Sequence, residues 1–272
     1  MSEKDHYFTH IRDSLSAALR VRSLAGPSGL VKPFARIRNS VCAVLKISRS
    51  ADQSGLQPDQ VRWDMSIAGT AWCIVPNRYL VTAYHVFNRG QARNPGDKFS
   101  IFIVPGNGPR VYNTAVIGFP VERPDVDMTV IEISPPKDSP PNIPSMNVTF
   151  DRIKDGERVL TYGFPAPQIF QGNVDINGSW RGGNLLLLAN ANEGVVAGQF
   201  EFNSLVTYEL NVGWHHGESG GPIIRLKSGA AFSIMQRYRN IQTQHGIMAG
   251  PHQGNALSAI EGDLRALGAR II

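Results

Sequence analysis

The hexapeptide Gly217–Pro222, with the sequence Gly-Glu-Ser-Gly-Gly-Pro, carries the clearest chemical signal in the chain. Glycine lies on both sides of Ser219 and permits positive φ and a close approach of the backbone to a ligand, because it has no Cβ. A serine hydroxyl on such a turn is a candidate nucleophile, but it needs a neighbouring base to accept its proton. Gly-Ser turns are also common in loops. The motif therefore requires a base, and an acid that orients the base.

His85 is the candidate base, because histidine accepts and returns protons near neutral pH. It lies in the run Leu80-Val81-Thr82-Ala83-Tyr84-His85-Val86, which predicts a strand that passes into a short turn. Asp127 stands directly before another apolar run and is the candidate acid, since a carboxylate there would orient the imidazole and stabilise its cation. Asp125 is interpreted as a solvated loop residue.

The remaining histidines do not indicate a metal centre. His215 and His216 are adjacent, and neighbouring side chains of a strand point to opposite faces. His245 and His252 are interpreted as loop residues without visible partners. We therefore predict neither a metal nor a cofactor.

Short runs rich in Val, Ile, Leu and aromatic residues, separated by Gly, Pro, Asn and Asp turns, fill most of the chain after residue 40. This texture predicts an all-β barrel or sandwich. The predicted strands are Val41–Ile47, Ile67–Val75, Tyr79–Thr82, Phe99–Val104, Tyr112–Phe119, Met128–Ile133, Arg158–Tyr162, Asn184–Ala189, Val206–Leu210, Pro222–Leu226 and Ala231–Arg237.

Helical periodicity is confined to the two ends. Apolar residues at helical spacing predict a basic amphipathic helix at residues 7–22, followed by a Gly- and Pro-rich linker at 25–33. The helix either packs on the main domain or docks on a partner or a membrane surface. A second helix is predicted at residues 255–268, with Gly268 as its end.

Composition limits the class of protein. The chain has 272 residues, 42% hydrophobic and 18% charged, as expected for an ordinary soluble globular protein with a sizeable core. Its net charge is +5, but residues 1–50 hold nine Lys or Arg against three acidic residues. The rest is close to neutral, so we expect no nucleic-acid partner.

Cysteine usage and hydropathy bear on the compartment. Cys42 and Cys73 are the two cysteines; a single bridge between them stays open, but a reducing compartment is favoured. No run approaches the ~20 apolar residues of a membrane span. The N-terminus lacks the apolar core of a secretory signal. We predict a cytoplasmic protein.

Four ordered blocks resemble the trypsin-like (chymotrypsin-fold) serine peptidases, and among them the bacterial HtrA/Deg-like and "trypsin-2" groups. The four blocks are Gly69–Val75, Leu80–Val86, Asp127–Ile131 and Gly217–Pro222. The resemblance extends over roughly residues 38–268, with further similar blocks around Gly156–Val159, Tyr162–Pro165 and Glu193–Gly198.

The resemblance implies an all-β fold of two six-stranded Greek-key β-barrels with the active site between them, plus an N-terminal helix and a C-terminal helix. It divides the chain into a basic extension at 1–37 and a protease domain at 38–272. Within that domain the first barrel is expected at about 38–140, the second at about 150–252 and the closing helix at about 255–268.

The resemblance also implies roles for individual residues. His85 would be the general base, Asp127 would orient it, Ser219 would be the nucleophile, and the backbone N–H groups of Gly217 and Ser219 would form the oxyanion hole. Two departures stand out. No cysteine follows His85, and Glu218 stands where secreted relatives have an aspartate that binds a freed N-terminus. We also expect no PDZ-like domain after the closing helix.

The implied substrate pocket is walled by Gly213, His216, Met235, Gln236 and Tyr238. No acidic residue stands at Gly213, where cleavage after Lys or Arg would need one, and Tyr238 narrows the wall. We expect cleavage after small or medium apolar residues. A histidine at position 216 leaves a preference for acidic residues open.

The sequence thus predicts a serine endopeptidase that acts on protein or peptide substrates inside the cell. An always-active cytoplasmic protease would be hazardous, so we expect control by a partner or a conformational change, through residues 1–37. A catalytically silent scaffold with the protease fold is the alternative, and a viral-type processing protease is a third, weaker hypothesis.

Overall fold

The computed structural model describes residues 31–54, 60–88, 94–104, 111–134, 142–213, 215–244 and 246–272. Within this part of the chain, Arg36–Ile272 form one compact unit. The helix predicted at residues 7–22 lies outside the described residues and stays a prediction. Helix α1, Val31–Ser40, overlaps the end of the predicted linker. Pro33 falls in its first turn, where the missing N–H of proline is not needed.

Six strands of the described chain close into a first barrel in the order β1-β2-β3-β6-β5-β4. All five residues of β3 are buried, because this strand lies between the barrel interior and the second half of the domain. The strands are β1 Val41–Arg49, β2 Trp63–Val75, β3 Tyr79–Ala83, β4 Lys98–Ile103, β5 Tyr112–Arg123 and β6 Met128–Ile133, with helix α2, His85–Asn88, after β3 and a 3₁₀ turn, Pro124–Val126, before β6.

The second half is a curled seven-stranded sheet in the order β13-β12-β7-β10-β11-β15-β14. An antiparallel bridge between Ser233 and Ala256 brings its β13 end back toward β15. The two-barrel fold is confirmed, but this half has seven strands and does not close by a continuous hydrogen-bond ladder, as a six-stranded barrel would. The strands are β7 Arg158–Gly163, β10 Asn190–Phe202, β11 Leu205–Leu210, β12 Pro222–Arg225, β13 Ala230–Ile234, β14 Arg237–Thr243 and β15 Gly246–Asn255.

A separate hairpin, β8 Gln168–Val174 with β9 Trp180–Leu186, follows β7. The strand predicted at Asn184–Ala189 was misplaced: its first residues end β9, and β10 begins only at Asn190. The ring of Trp180 meets Phe102 of β4 edge-on, with centroids 5.3 Å apart. The hairpin therefore spans from the second half to the first barrel.

Each half has its own apolar core. Trp72, Phe102 and Leu45 are among the largest fully buried side chains of the first barrel. In the second half, Tyr208 and Phe232 pack edge-on at 5.0 Å. Cys42 and Cys73 are free and buried in the first barrel, and burial raises the pKa of the Cys73 thiol to about 12.

The C-terminal helix lies where the sequence predicts it, in two pieces. A 3₁₀ turn, Leu257–Ile260, leads into helix α3, Glu261–Ala266. Of the periodic positions that predicted it, Ala256, Ile260 and Leu264 are buried and Leu267 is half-buried. Leu257, which the pattern did not include, is also buried. Gly268 ends the helix at φ +86°, a conformation that favours glycine.

Candidate active site

His85 and Asp127 form a hydrogen-bonded pair at one edge of the first barrel. His85 Nδ1 lies 2.8 Å from Asp127 Oδ2, and the backbone N–H of His85 donates to Asp127 Oδ1 at 2.9 Å. One carboxylate therefore fixes both the backbone and the ring of the histidine. The side chains are 35% and 29% exposed, so the imidazole is open to a cleft while its Nδ1 edge is engaged.

The position of this pair follows from the order of the strands. β3 and β6 are antiparallel neighbours, with Ala83 opposite Met128, so the end of β3 meets the start of β6. His85 follows the first strand and Asp127 precedes the second. Two residues far apart in sequence are brought together because each adjoins the same pair of strand ends.

Asp127 occupies an unusual backbone conformation. Its φ is +53°, in the left-handed region that few non-glycine residues adopt, although Asp and Asn adopt it more readily than others. The Tyr84 N–H donates to its carbonyl oxygen at 3.2 Å. Asp125 is not a free loop carboxylate, because it forms an ion pair with Arg123 at 2.7 Å.

Ser219 lies on a tight turn with positive φ on either side, +101° at Gly217 and +84° at Gly220. Ser219 itself is only 9% exposed. A Cβ at Gly220 would lie 2.1 Å from Thr82 Oγ1 and 2.3 Å from the Thr70 carbonyl oxygen. The turn is thus pressed against the strand that leads to His85, and only glycine fits there.

Thr70 of β2 binds the turn across the boundary between the two halves. Its N–H donates to the Ser219 carbonyl at 2.8 Å, and its hydroxyl donates to the Gly217 carbonyl at 2.8 Å. The same hydroxyl accepts the Phe164 N–H at 3.2 Å. Sequence reasoning missed this role of Thr70; the signal that could have indicated it is a threonine within the apolar run of residues 67–75.

The backbone donors of the turn are available. In the part of the chain that the structure describes, the N–H groups of Gly217 and Ser219 donate to no protein acceptor outside the regular ladders. Two such N–H groups on one turn can bind an oxygen that carries negative charge.

Glu218 is fully buried beneath the turn. Its carboxylate accepts the His215 N–H at 2.6 Å and lies 3.4 Å from Asn192 Nδ2, which also donates to the Gly213 carbonyl at 3.1 Å. Burial raises the pKa of Glu218, and the bond and charge of His215 offset part of that rise. An internal amide and a backbone N–H thus hold the Glu218 carboxyl group.

The five predicted pocket residues fall into two groups. Gly213 and His216 are exposed, and Tyr238 is 48% exposed on β14. Met235 and Gln236 are 3% and 4% exposed and do not face open space. Met235 belongs to the apolar core of the second half, and the Gln236 amide donates to the Val126 and Asp127 carbonyls.

His252 was wrongly interpreted as a loop residue. It lies in β15, opposite Tyr238 of β14, and its ring meets the Tyr238 ring edge-on at 6.5 Å. Burial and the nearby His215 both lower the pKa of His252. The sequence missed this histidine because β14 and β15 are too polar to stand out as strands.

No group of three or more His, Cys, Asp or Glu side chains within the described ranges is arranged to hold a metal ion. None of the described helices is long and apolar enough to cross a membrane.

Two β-barrel halves that share one cleft form the architecture of the chymotrypsin fold. The family model described as "Trypsin-like peptidase domain" matches residues 69–233, a stretch that includes His85, Asp127 and Ser219. The chain belongs to this family and is a serine endopeptidase. No curated protein sequence matches it.

Solved structures with the same fold include proteases of the HtrA type. The HtrA-type protease AlgW, solved with a decapeptide, has 14% identity and a TM-score of 0.58, over 86% of this chain and 66% of AlgW. A variant of AlgW with a decapeptide has 14% identity and a TM-score of 0.57, over 88% of this chain and 67% of the variant. Deg5 has 17% identity and a TM-score of 0.49, over 86% of this chain and 90% of Deg5. The chain spans about two thirds of the length of AlgW. At an identity this low, the similarity to AlgW shows a shared fold and no shared role.

Proposed function

We propose that this endopeptidase cleaves peptide bonds of protein substrates through His85, Asp127 and Ser219, by way of an acyl-enzyme. The observation that supports this most strongly is the contact between His85 Nδ1 and Asp127 Oδ2 at 2.8 Å. It leaves the other ring nitrogen, Nε2, as the acceptor for the Ser219 proton.

The reaction proceeds by two similar displacements. Ser219 Oγ attacks the substrate carbonyl carbon while its proton passes to His85 Nε2. The tetrahedral intermediate collapses when His85 returns that proton to the leaving amine, and the acyl group stays on Ser219 Oγ. Water then attacks the ester, with its proton taken by His85 and returned to Ser219. Asp127 stabilises the imidazolium in both halves of the cycle.

The oxyanion of each intermediate would bind the N–H groups of Gly217 and Ser219. Each donor of this kind lowers the barrier by about 3–4 kcal/mol. Gly217 has a positive φ, +101°, which suits glycine at this place in the turn. The donors belong to the backbone, so they survive changes of side chain that keep the turn.

Labelling with a fluorophosphonate probe tests the proposed nucleophile. We expect the wild-type protein to be labelled and Ser219→Ala not to be. Ser204→Ala, at an exposed turn between β10 and β11, is the matched control and should be labelled like the wild type. Labelling that persists in Ser219→Ala would refute the assignment of Ser219.

A catalytically silent scaffold is the second candidate, because a protease fold can persist without turnover. It predicts that the folded wild-type protein is neither labelled nor able to cleave casein under any condition. The intact His85–Asp127 pair and the unoccupied donors of the Ser219 turn favour the enzyme.

For the residue before the cleaved bond we propose small or medium apolar side chains. The support is that Gly213 offers no charge and that Tyr238, which the resemblance puts in the pocket wall, has an exposed aromatic ring. A peptide library should give Ala, Val, Leu or Met at this position. Dominance of Asp or Glu would instead point to His216, and dominance of Lys or Arg would refute the hypothesis.

Control of activity is proposed to involve residues 1–37, a protein partner or a conformational change. This proposal is based on the basic amphipathic sequence at residues 7–22. Arg36 Nε donates to the Ser145 carbonyl at 3.0 Å and Ile37 is buried, so a deletion should stop at residue 30. Equal casein cleavage by the full chain and by this deletion would remove the regulatory role.

The proposed location is the cytoplasm, a reducing compartment, which suits two free and buried thiols. Cell fractionation with an antibody to the chain is the test. Recovery outside the cytoplasmic fraction would contradict it.

A further inference from the structure

Two buried amide side chains, Gln236 and Asn255, connect the second half of the domain to the turn that carries Asp127. Gln236 Nε2 donates to the carbonyl oxygens of Val126, at 2.9 Å, and Asp127, at 2.8 Å. Asn255 Nδ2 donates to the same Val126 carbonyl at 3.0 Å. Both residues are 4% exposed, so these bonds are shielded from water.

The oxygen atoms of both side-chain amides are bonded as well, that of Gln236 by the backbone of Asn255. The Asn255 N–H donates to Gln236 Oε1 at 2.8 Å, and Thr207 Oγ1 donates to Asn255 Oδ1 at 2.7 Å. Both side-chain amides are therefore bonded through oxygen and nitrogen alike. A buried network in which each polar group is paired is rigid, whereas the loss of one partner leaves a buried group unsatisfied.

The Asp127 turn needs such support, because the left-handed φ of Asp127, +53°, is persistent only when its surroundings enforce it. Within the first barrel, its carbonyl accepts just one further bond, from the Tyr84 N–H at 3.2 Å. The shorter bond, from Gln236, comes from the other half of the molecule.

We propose that Gln236, held by Asn255, is a positioning residue for the proposed catalytic pair: it fixes the Asp127 turn from the second half and thereby orients His85. The inference rests on the proposed roles of His85 and Asp127. It replaces the pocket-wall role that the sequence predicted for Gln236. It also makes the docking of the two halves a condition for a correctly oriented base.

The test is Gln236→Glu, which keeps an acceptor for the Asn255 N–H and replaces two N–H donors by the single O–H donor of a protonated carboxyl group, the form that burial favours. At least one of the Val126 and Asp127 carbonyls then loses its bond from this side chain. We expect kcat on a peptide substrate to fall by about 10- to 100-fold, because small displacements of catalytic groups cost that much. KM should change little, since Gln236 faces no substrate.

A second readout does not depend on turnover. The proton between His85 Nδ1 and Asp127 Oδ2 should give a resonance far downfield in the proton NMR spectrum of the wild type. Gln236→Glu should weaken or broaden it. Asp127→Asn serves to assign the resonance, because it removes the acceptor.

Gln199→Glu is the matched control. Gln199 Nε2 also donates to a backbone carbonyl, that of Ile153 at 3.1 Å, but far from the site in the β10 region. Because Gln199 is only half-buried, we expect a smaller loss of melting temperature than in Gln236→Glu, with kcat and the resonance unchanged. If Gln236→Glu does not fold, Thr207→Val tests the same network more gently and should show a smaller loss in the same two readouts.

The outcomes are distinct. A folded Gln236→Glu protein with unchanged kcat and unchanged resonance overturns the inference. The inference is also overturned if Gln236→Glu alters the resonance but Gln199→Glu lowers kcat by the same factor, because the loss of kcat would then come from general destabilisation. A wild-type protein without turnover but with a resonance that Gln236→Glu removes refutes the proposed function alone.

Discussion

The closed first barrel and the curled sheet of the second half present their proposed catalytic groups by different means. His85 and Asp127 act through side chains, and they meet because two strand ends meet. Ser219 depends on the backbone around it, because the turn needs positive φ at Gly217 and Gly220. We therefore expect the two contributions to activity to be lost in different ways. A substitution that changes the chemistry of a side chain but not its volume should impair the His85–Asp127 pair, whereas a methyl group added to a glycine should impair the Ser219 turn.

Asp127→Asn should show the largest effect and test the side-chain half of this comparison. Asparagine tolerates the left-handed φ, so the fold should persist, but an amide nitrogen facing His85 Nδ1 would hold the wrong tautomer. In sites of this kind such a change lowers kcat by about 10⁴-fold. Peptide hydrolysis measures the loss of kcat, and the melting temperature shows whether the fold persists. Asp125→Asn, which breaks only the surface pair with Arg123, should retain activity.

Gly220→Ala should show the next largest effect and tests the backbone half. A methyl group would overlap Thr82 Oγ1 and the Thr70 carbonyl, at 2.1 and 2.3 Å, and the positive φ would add strain. We expect a loss of about 3 kcal/mol in the free energy of unfolding, from overpacking and backbone strain together, and loss of fluorophosphonate labelling.

Gly229→Ala separates these two causes. Gly229 also has positive φ, +69°, but a Cβ there would meet nothing within 4 Å. It should cost about 1 kcal/mol and leave labelling intact. Equal destabilisation of the two variants in urea would show that crowding at Gly220 is unimportant.

Thr70→Val should have an intermediate effect, since it removes a side chain of the first barrel that supports the backbone of the second half. The Gly217 carbonyl would lose its donor and the Phe164 N–H its acceptor, which costs about 1–3 kcal/mol for a buried unpaired group. We expect kcat to fall by about tenfold, an order-of-magnitude figure for a loosened oxyanion turn. Thr114→Val removes a comparable hydroxyl-to-carbonyl bond, to Ser134, and should leave kcat unchanged.

Glu218→Gln should have the smallest effect. Burial raises the pKa of Glu218 above its ordinary 4.5, so the folded state holds the proton more tightly than the unfolded state. Its contribution to stability is complete below about pH 4.5 and is lost as the pH rises through the folded pKa, by about 1.4 kcal/mol per unit of rise in pKa. Urea unfolding between pH 4.5 and 7 should therefore show a shallower decline in Glu218→Gln. Parallel curves would contradict this.

The residues that could be predicted from sequence are those whose type and neighbourhood are both informative. His85 and Asp127 adjoin apolar strands, and Ser219 lies among glycines, so local pattern marks them as candidates, and the resemblance to trypsin-like peptidases implies their roles. The strands of the first barrel were predicted well for the same reason: they are buried, and their apolar runs are long.

Strands exposed on both faces could not be predicted in this way. The β8–β9 hairpin and β14 are rich in Gln, Asn, Arg and Gly and pair at the surface, so neither alternation nor apolar content marks them. The supporting residues escaped for a different reason. Thr70, Asn192, Gln236 and Asn255 are polar residues whose importance comes from the carbonyl or carboxylate that the tertiary fold places beside them. No local pattern encodes that partner.

The bonds that cross the boundary run in both directions: Thr70 of the first barrel holds the Ser219 turn, and Gln236 of the second half holds the Asp127 turn. Each half thus keeps the other's contribution in order. If His85, Asp127 and Ser219 act as proposed, a molecule in which either half has opened, during synthesis, under heat or after damage, would carry all three side chains and still be unable to cleave its neighbours. The proposed mechanism thereby ties activity to the integrity of both halves.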